Sequence, residues 1–235
     1  MNYLTIGILV IIIALCLYVA SYFLFPNYLI DKAKPLNEIY KIGVDNIEQT
    51  DSIRYYYEMW LWVDANFPVD KVNTIAGRGS KFIVGLKGSD LSLYYGESGS
   101  YDASSGVFTP GANTKTMGII KNFPFQKWTH FVLNVESSTV DAYLDGKLVT
   151  SIQPDPTKQS NFIPYGDASN SNINVGNLYT QGKVTRFRRP AGNVNPQEVW
   201  NHFMIGNGQG TSLTPYHVNM QILKDNIPQS DNRVF

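Results

Sequence analysis

RYYYEMWLWVD, residues 54–64, alternates between two rows of side chains. Tyr55, Tyr57, Met59, Leu61 and Val63 form one row; Tyr56, Glu58, Trp60, Trp62 and Asp64 form the other. Period-2 alternation with aromatic enrichment is the pattern of a β-strand, because successive side chains of an extended chain point to opposite faces. Both rows are largely apolar, so the stretch predicts an inner strand covered on both sides.

The same kind of segment recurs outward from it. Val72–Ala76, Lys81–Leu86 and Leu91–Tyr95 read as strands separated by Gly77-Arg78-Gly79-Ser80 and Lys87-Gly88-Ser89-Asp90. Residues 96–113 are polar and glycine-rich, a long loop or ragged hairpin. Trp128–Glu136 and Thr139–Leu144 form a hairpin-like pair, and Asp145-Gly146 is a two-residue hairpin turn into Lys147–Ile152. Residues 153–171 read as a loop. Ile173–Val175 and Lys183–Arg188 are short strands. Asn195 is a helix N-cap with Pro196 at the first helical position, Val199, Trp200 and Phe203 give an apolar face, and Gly206 ends the helix. Val218–Leu223 is a last strand. Many short strands and one short helix predict an all-β, two-layer antiparallel sandwich.

A different element precedes the sandwich. Leu4 to Phe25, LTIGILVIIIALCLYVASYFLF, carries no charge. As a helix it spans about 33 Å, enough for a bilayer core of about 30 Å. No lysine or arginine precedes it, and the apolar run continues past Val19-Ala20-Ser21, so a retained transmembrane anchor is expected over a cleaved signal peptide. Leu4, Ile12, Leu17 and Phe25 mark the anchor. The expected organisation is an anchor over residues 1–25, a juxtamembrane linker over 26–45, the sandwich over 46–226 and a polar tail over 227–235.

Lys32, Lys34 and Lys41 follow the anchor, which places the sandwich on the cytosolic side by the positive-inside rule. The single cysteine, Cys16, lies in the anchor, and no Asn-x-Ser/Thr sequon occurs. Both facts fit a cytosol-facing, virion-interior or bacterial domain rather than a eukaryotic extracellular one. The 19 basic and 19 acidic residues cancel, so no overall basic field exists to attract nucleic acid.

Three segments resemble the laminin-G-like, concanavalin-A-like superfamily. The first is Tyr57-Glu58-Met59-Trp60-Leu61-Trp62-Val63 with Asn73-Thr74-Ile75-Ala76-Gly77-Arg78-Gly79. The second, the most specific, pairs Phe125-Gln126-Lys127-Trp128-Thr129-His130-Phe131-Val132-Leu133 with Val140-Asp141-Ala142-Tyr143-Leu144-Asp145-Gly146-Lys147-Leu148-Val149. The third joins Ile173-Asn174-Val175-Gly176, Gly182-Lys183-Val184-Thr185-Arg186-Phe187-Arg188 and the helix from Asn195 to Phe203. The resemblance covers residues 46–226 and implies a jelly-roll sandwich, but it says little of function. With its single anchor, abundant Asn and Tyr and missing disulfides, the chain also looks similar to membrane proteins of large double-stranded DNA viruses.

No pair of acids alternates along a strand as the glycosidases of this superfamily require; Glu136 and Asp141 merely flank a hairpin. No catalytic residue is assigned and no enzyme is expected. No cofactor is expected either. Calcium is the metal the resemblance brings, with Asp102, Asp167, Asn170, Asn172 and Asn174 as scattered oxygen donors in no recognised spacing. Trp128 and His130 share a face and read as packing positions. Trp60, Trp62 and Tyr56 read as buried, although such rings could stack on sugar. Tyr94, Tyr95 and Tyr101 are expected as exposed loop aromatics that contact a partner. Arg186 and Arg188, near Arg189 and Lys183, are expected on a solvated strand face that could take an anionic group. Two functions follow, with an unusual glycan hydrolase using Glu136 and Asp141 as the least favoured third. One is a membrane-anchored interaction module linking a virion's inner membrane to other structural proteins of its shell. The other is a lectin-like adhesin or receptor that binds glycan.

Overall fold

The computed structural model describes residues 3–24, 27–96, 98–136, 139–153, 171–208, 219–224 and 227–233. In chain order the elements are α1 (Tyr3–Leu24), β1 (Lys34–Pro35), β2 (Tyr40–Ile42), β3 (Tyr55–Val63), β4 (Val72–Arg78), β5 (Phe82–Lys87), β6 (Asp90–Tyr95), β7 (Ser100–Asp102) and β8 (Val107–Thr109). They continue with β9 (Lys115–Ile120), β10 (Trp128–Val135), β11 (Val140–Leu144), β12 (Lys147–Ile152), β13 (Ile173–Val175), β14 (Gly182–Arg188), α2 (Pro196–Ile205), β15 (Asn219–Lys224) and β16 (Ile227–Arg233).

Two antiparallel sheets form the sandwich. The first runs β1-β14-β3-β10-β11-β12; the second runs β2-β13-β4-β5-β6-β9, with β8 beside β4 and β7 beside β8. β3 lies inside the first sheet, between β14 and β10, as its doubly apolar sequence requires. Its inward row, Tyr55, Tyr57, Met59, Leu61 and Val63, is fully buried, and it shares one core with Phe82, Val84, Leu86 and Leu93 of the second sheet. Tyr57 stacks on Phe82 with ring centroids 5.2 Å apart. Each such side chain removed from water contributes about 2 kcal/mol. The outward row faces α2 instead, whose Val199 joins Tyr56, Val132, Tyr143 and Val194 in a second apolar cluster. The turn between β11 and β12 has φ of 48° at Asp145 and 78° at Gly146, the left-handed pair that a two-residue hairpin needs.

Two boundaries differ from the sequence expectation. Residues 26–45 are not a linker: their described part closes an edge of each sheet. β1 pairs with β14, β2 pairs with β13, and Ile30 bridges to Phe187. Leu36 is fully buried, and its backbone bonds both Gly182 O and Asn177 N. The segment hides in the sequence because edge strands this short show no period and Pro35 interrupts them, though proline is tolerated at an edge. Residues 227–233 of the expected polar tail are the second strand of a hairpin: β16 pairs with β15 as a separate two-stranded sheet. Such a ribbon pairs through backbone groups and needs no apolar row. The 96–113 excursion holds the β7–β8 hairpin, whereas residues 154–170 of the expected 153–171 loop lie outside the described residues.

α1 is a helix of 22 residues. Its described side chains are those of residues 7–16 and 18; Ile12 is half exposed, the side chains of Leu4 and Leu17 are not described, and Phe25 lies outside the described residues. Among the described residues no helix is long and apolar enough to cross a membrane.

Candidate functional site

The outward row of β3 places Glu58 beneath α2, between Tyr56 and Trp60. Asn195 caps that helix by accepting from Glu198 N at 2.8 Å, and Glu198 returns a bond to Asn195 N, a reciprocal capping box. The helix so fixed carries His202 and Phe203 onto the sheet. Glu58 Oε2 accepts from Arg188 Nε at 2.9 Å and Nη2 at 2.6 Å, and His202 Nδ1 lies 3.2 Å away. Glu58 Oε1 takes His130 Nε2 at 3.1 Å. Because that nitrogen faces a carboxylate it is the donor, while Nδ1 is buried and makes no hydrogen bond. Burial alone pushes the Glu58 carboxyl up, but the bonds from His130 and His202 and the Arg188 charge outweigh it and hold the group well below the usual carboxylate range. Trp60 stacks on Phe203 at 5.7 Å over this network and stands 5.2 Å from the His130 ring. The cluster is enclosed, so it clamps α2 to the sheet. His130, expected as a packing position, is one of its members.

The arginine face departs from expectation. Arg188 and Arg189 are buried, Arg188 against Glu58 and Arg189 with its ring neighbour Tyr55 at 4.4 Å and Glu48 O at 2.9 Å. Arg186 is half-buried, has φ of 50°, and sits where the β14–β3 register shifts between Thr185 and Arg188. It donates from Nη1 to Gly206 O at 2.8 Å and covers the Tyr28 ring at 5.5 Å. Internal partners along an irregular strand replaced the solvated stripe that simple alternation predicts. The tyrosines differ too. Tyr94 and Tyr95 are not in a loop but on β6, and both are buried, one toward Phe108 at 5.8 Å and the other in the main core. Tyr101 is half-buried on β7, where burial and the Asp102 charge push its hydroxyl up to about 12. Residues 94–101 looked exposed because glycines and serines follow Tyr95, but β6 runs through both tyrosines and the β7–β8 hairpin packs over it.

Of the oxygen donors considered for calcium, Asp167 and Asn170 lie outside the described residues. Asn172 Oδ1 accepts from Val44 N, and Asn174 lies inside β13. Asp102 is held by its own loop: the Ser104 and Ser105 hydroxyls and backbone N–H groups draw its carboxyl down to about 2. Among the described residues no three His, Cys, Asp or Glu side chains are grouped to hold a metal.

An open groove of about 470 Å³ lies on the second sheet, lined among others by Asp70, Lys71, Lys87, Asp102, Phe108 and Tyr179. Tyr179 is 39% exposed, with Lys71 Nζ 5.1 Å from its ring centre. A buried turn presents it. Asn177 Oδ1 accepts from Tyr179 N and Thr180 N, both at 2.9 Å, while its Nδ2 donates to Thr74 O and Thr180 Oγ1. An exposed aromatic ring on a pinned turn, beside hydroxyls, carboxylates and ammonium groups, can stack on an apolar face of a ligand while its neighbours hydrogen-bond the polar rim. Sequence reasoning missed Tyr179 and Lys71. The available signal was Asn177-Leu178-Tyr179-Thr180, an Asn-led turn with two large apolar residues in it.

No protein-family model matches the chain, and no curated protein matches it. Solved structures do. A Ruminococcus gnavus IT-sialidase CBM40 bound to alpha2,3 sialyllactose is similar at 9% identity and TM-score 0.53, covering 74% of this chain and 98% of that one. The botulinum neurotoxin serotype G binding domain is similar at 12% identity and TM-score 0.49, covering 75% of this chain and 45% of that one. Domain 4 of AbnA, an extracellular arabinanase from Geobacillus stearothermophilus, in complex with arabinotriose, is similar at 16% identity and TM-score 0.49, covering 68% and 70%. The chain spans less than half the length of the neurotoxin domain. The fold is a two-sheet antiparallel β-sandwich, similar to that of the CBM40 domain. Its strand order is compatible with a jelly roll, and at such identities the likeness concerns the fold alone.

Proposed function

We propose that the chain is a membrane-anchored, non-enzymatic binding module that takes a glycan in the groove beside Tyr179. The exposed Tyr179 ring, on a turn whose backbone Asn177 pins and with Lys71 beside it, carries the proposal. Sugars offer an aromatic ring their C–H face and offer carboxylates and ammonium groups their hydroxyls. The CBM40 neighbour, bound to a sialyllactose, supplies the first ligand to try. The anchor is the uncharged run Leu4–Phe25, helical over Tyr3–Leu24. Glycan-array binding followed by calorimetry on the full chain in nanodiscs tests the site. Tyr179→Ala is expected to weaken binding at least about tenfold, the loss of one well-placed stacking contact. Silence of the wild type across the array, with and without calcium, sinks the glycan assignment.

A second proposal keeps the module and changes its ligand: a virion structural component joining an inner membrane to the shell. Lys32, Lys34 and Lys41, all following the anchor, favour it, since they direct the sandwich to the cytosolic or capsid side. Protease digestion of sealed membranes with and without detergent separates the two. An outward sandwich favours the glycan; a protected one that co-purifies with virions favours the scaffold.

A further inference from the structure

The outer face of the first sheet carries α2, and around it large apolar side chains stand in solvent. Trp200 and Ile205 are each 39% exposed, Leu148 52% and Val149 48%. Leu148 lies opposite Tyr143 in the ladder, and Tyr143 faces α2, so Leu148 shares the helix's side of the sheet. Gly146 makes the junction: a Cβ there would meet Trp200 at 2.8 Å and Phe203 at 3.2 Å. Polar residues dilute this face; the helix's own acid is Glu198 in its first turn.

The place where the chain enters the sandwich is beside the far end of that helix. Leu29 N and Ile30 N donate to Phe187 O, and the Tyr28 ring lies under the Arg186 and Arg188 guanidinium groups at 5.5 and 5.8 Å. Arg186 also binds Gly206 O, the C-cap of α2. Tyr28 and the end of α2 are therefore held by one side chain. Four residue steps separate Leu24, the end of α1, from Tyr28, a reach of at most about 14 Å. Trp200 lies five residues before Ile205, about 7.5 Å along the helix axis and about 140° around it, so the two flank the helix's outward side.

We infer that the face formed by α2 and the edge strand β12, bearing Trp200, Ile205 and Leu148, rests on the lipid surface of the membrane that holds α1. This rests on the proposed anchor: the short tether keeps the face within reach of the bilayer, and an indole ring with aliphatic neighbours suits the headgroup boundary. The Tyr179 groove belongs to the other sheet, so this seating turns it away from the lipid.

The test uses the full chain with Cys16→Ser, carrying a nitroxide on a single cysteine at Leu148, at Trp200, or at Val69 near the groove. It is reconstituted in vesicles of phosphatidylcholine alone and of roughly three parts phosphatidylcholine to one of phosphatidylserine. Labels at 148 and 200 are expected to show a several-fold higher ratio of oxygen to nickel-chelate accessibility than the label at 69. Brominated lipid is expected to quench tryptophan emission of the otherwise native chain, and Trp200→Phe to remove most of that quenching. If the chain floats with vesicles and resists alkaline extraction while all three labels remain in water, the seating is overturned and the anchor stands. A chain that does not float overturns the anchor and the seating together. Dipolar broadening between copies at 148 or 200 would assign the face to a second copy and overturn the lipid contact.

Discussion

Glu58 is one acid in a row of aromatic residues, and its partners come from β10, β14 and α2. Its folded-state carboxyl is held below the unfolded value, which for Glu is about 4.3. The stability it contributes is therefore fully present above that value and is lost as pH falls below it toward the folded pKa. Urea unfolding between pH 7 and pH 3 should show the wild type weakening as the pH drops below the unfolded value, and Glu58→Gln should flatten that dependence. At neutral pH Glu58→Gln is expected to cost about 3–5 kcal/mol, because it leaves Arg188 buried without its counter-charge. Glu58→Leu combined with Arg188→Met should recover most of the loss; a double variant as weak as the single would mean that packing, not the uncompensated charge, sets the cost. At this scale the sequence showed which way Glu58 points and nothing of what it meets. Likewise it placed Tyr94 and Tyr95 beside a glycine-rich stretch but could not show Phe108 packing on Tyr94 or Tyr95 entering the main core.

The helix α2 is the element that sequence rules describe most completely. Asn195, Pro196 and Gly206 mark its ends, and its apolar face follows from Val199, Trp200 and Phe203. Asn195→Ala is expected to lower stability by about 1 kcal/mol, measured as a shift in the urea midpoint. Gly146→Ala should cost more than that, since φ of 78° and contact with Trp200 and Phe203 both oppose a side chain. Near-ultraviolet circular dichroism should report the displaced Trp200. β1 and β2 lie at the other extreme. They are strands only because β14 and β13 offer them open edges, and no periodicity within two or three residues could announce that.

For the whole molecule, the entry segment is part of the sandwich. A chain beginning at residue 27 is expected to fold into a soluble, cooperatively melting domain. One beginning at residue 46 should not, because it loses Ile30, Leu36 and Ile42 from the core and uncovers an edge of each sheet. Thermal melts and size-exclusion profiles of the two truncations check this; equal cooperativity in both would restore the linker. Local pattern by itself determined the strands β3 to β6 and β10 to β12, the Asp145-Gly146 turn, the capped helix and the apolar N-terminal run, because alternation, turn chemistry and caps act between residues a few positions apart. Tertiary structure alone decided that Glu58 meets Arg188 across 130 positions, that Asn177 braces Tyr179 against Thr74 across 103, and that the segment after α1 closes both sheets. These depend on which distant segments become neighbours when the two sheets bury a common core, and burial area carries no label in the local sequence.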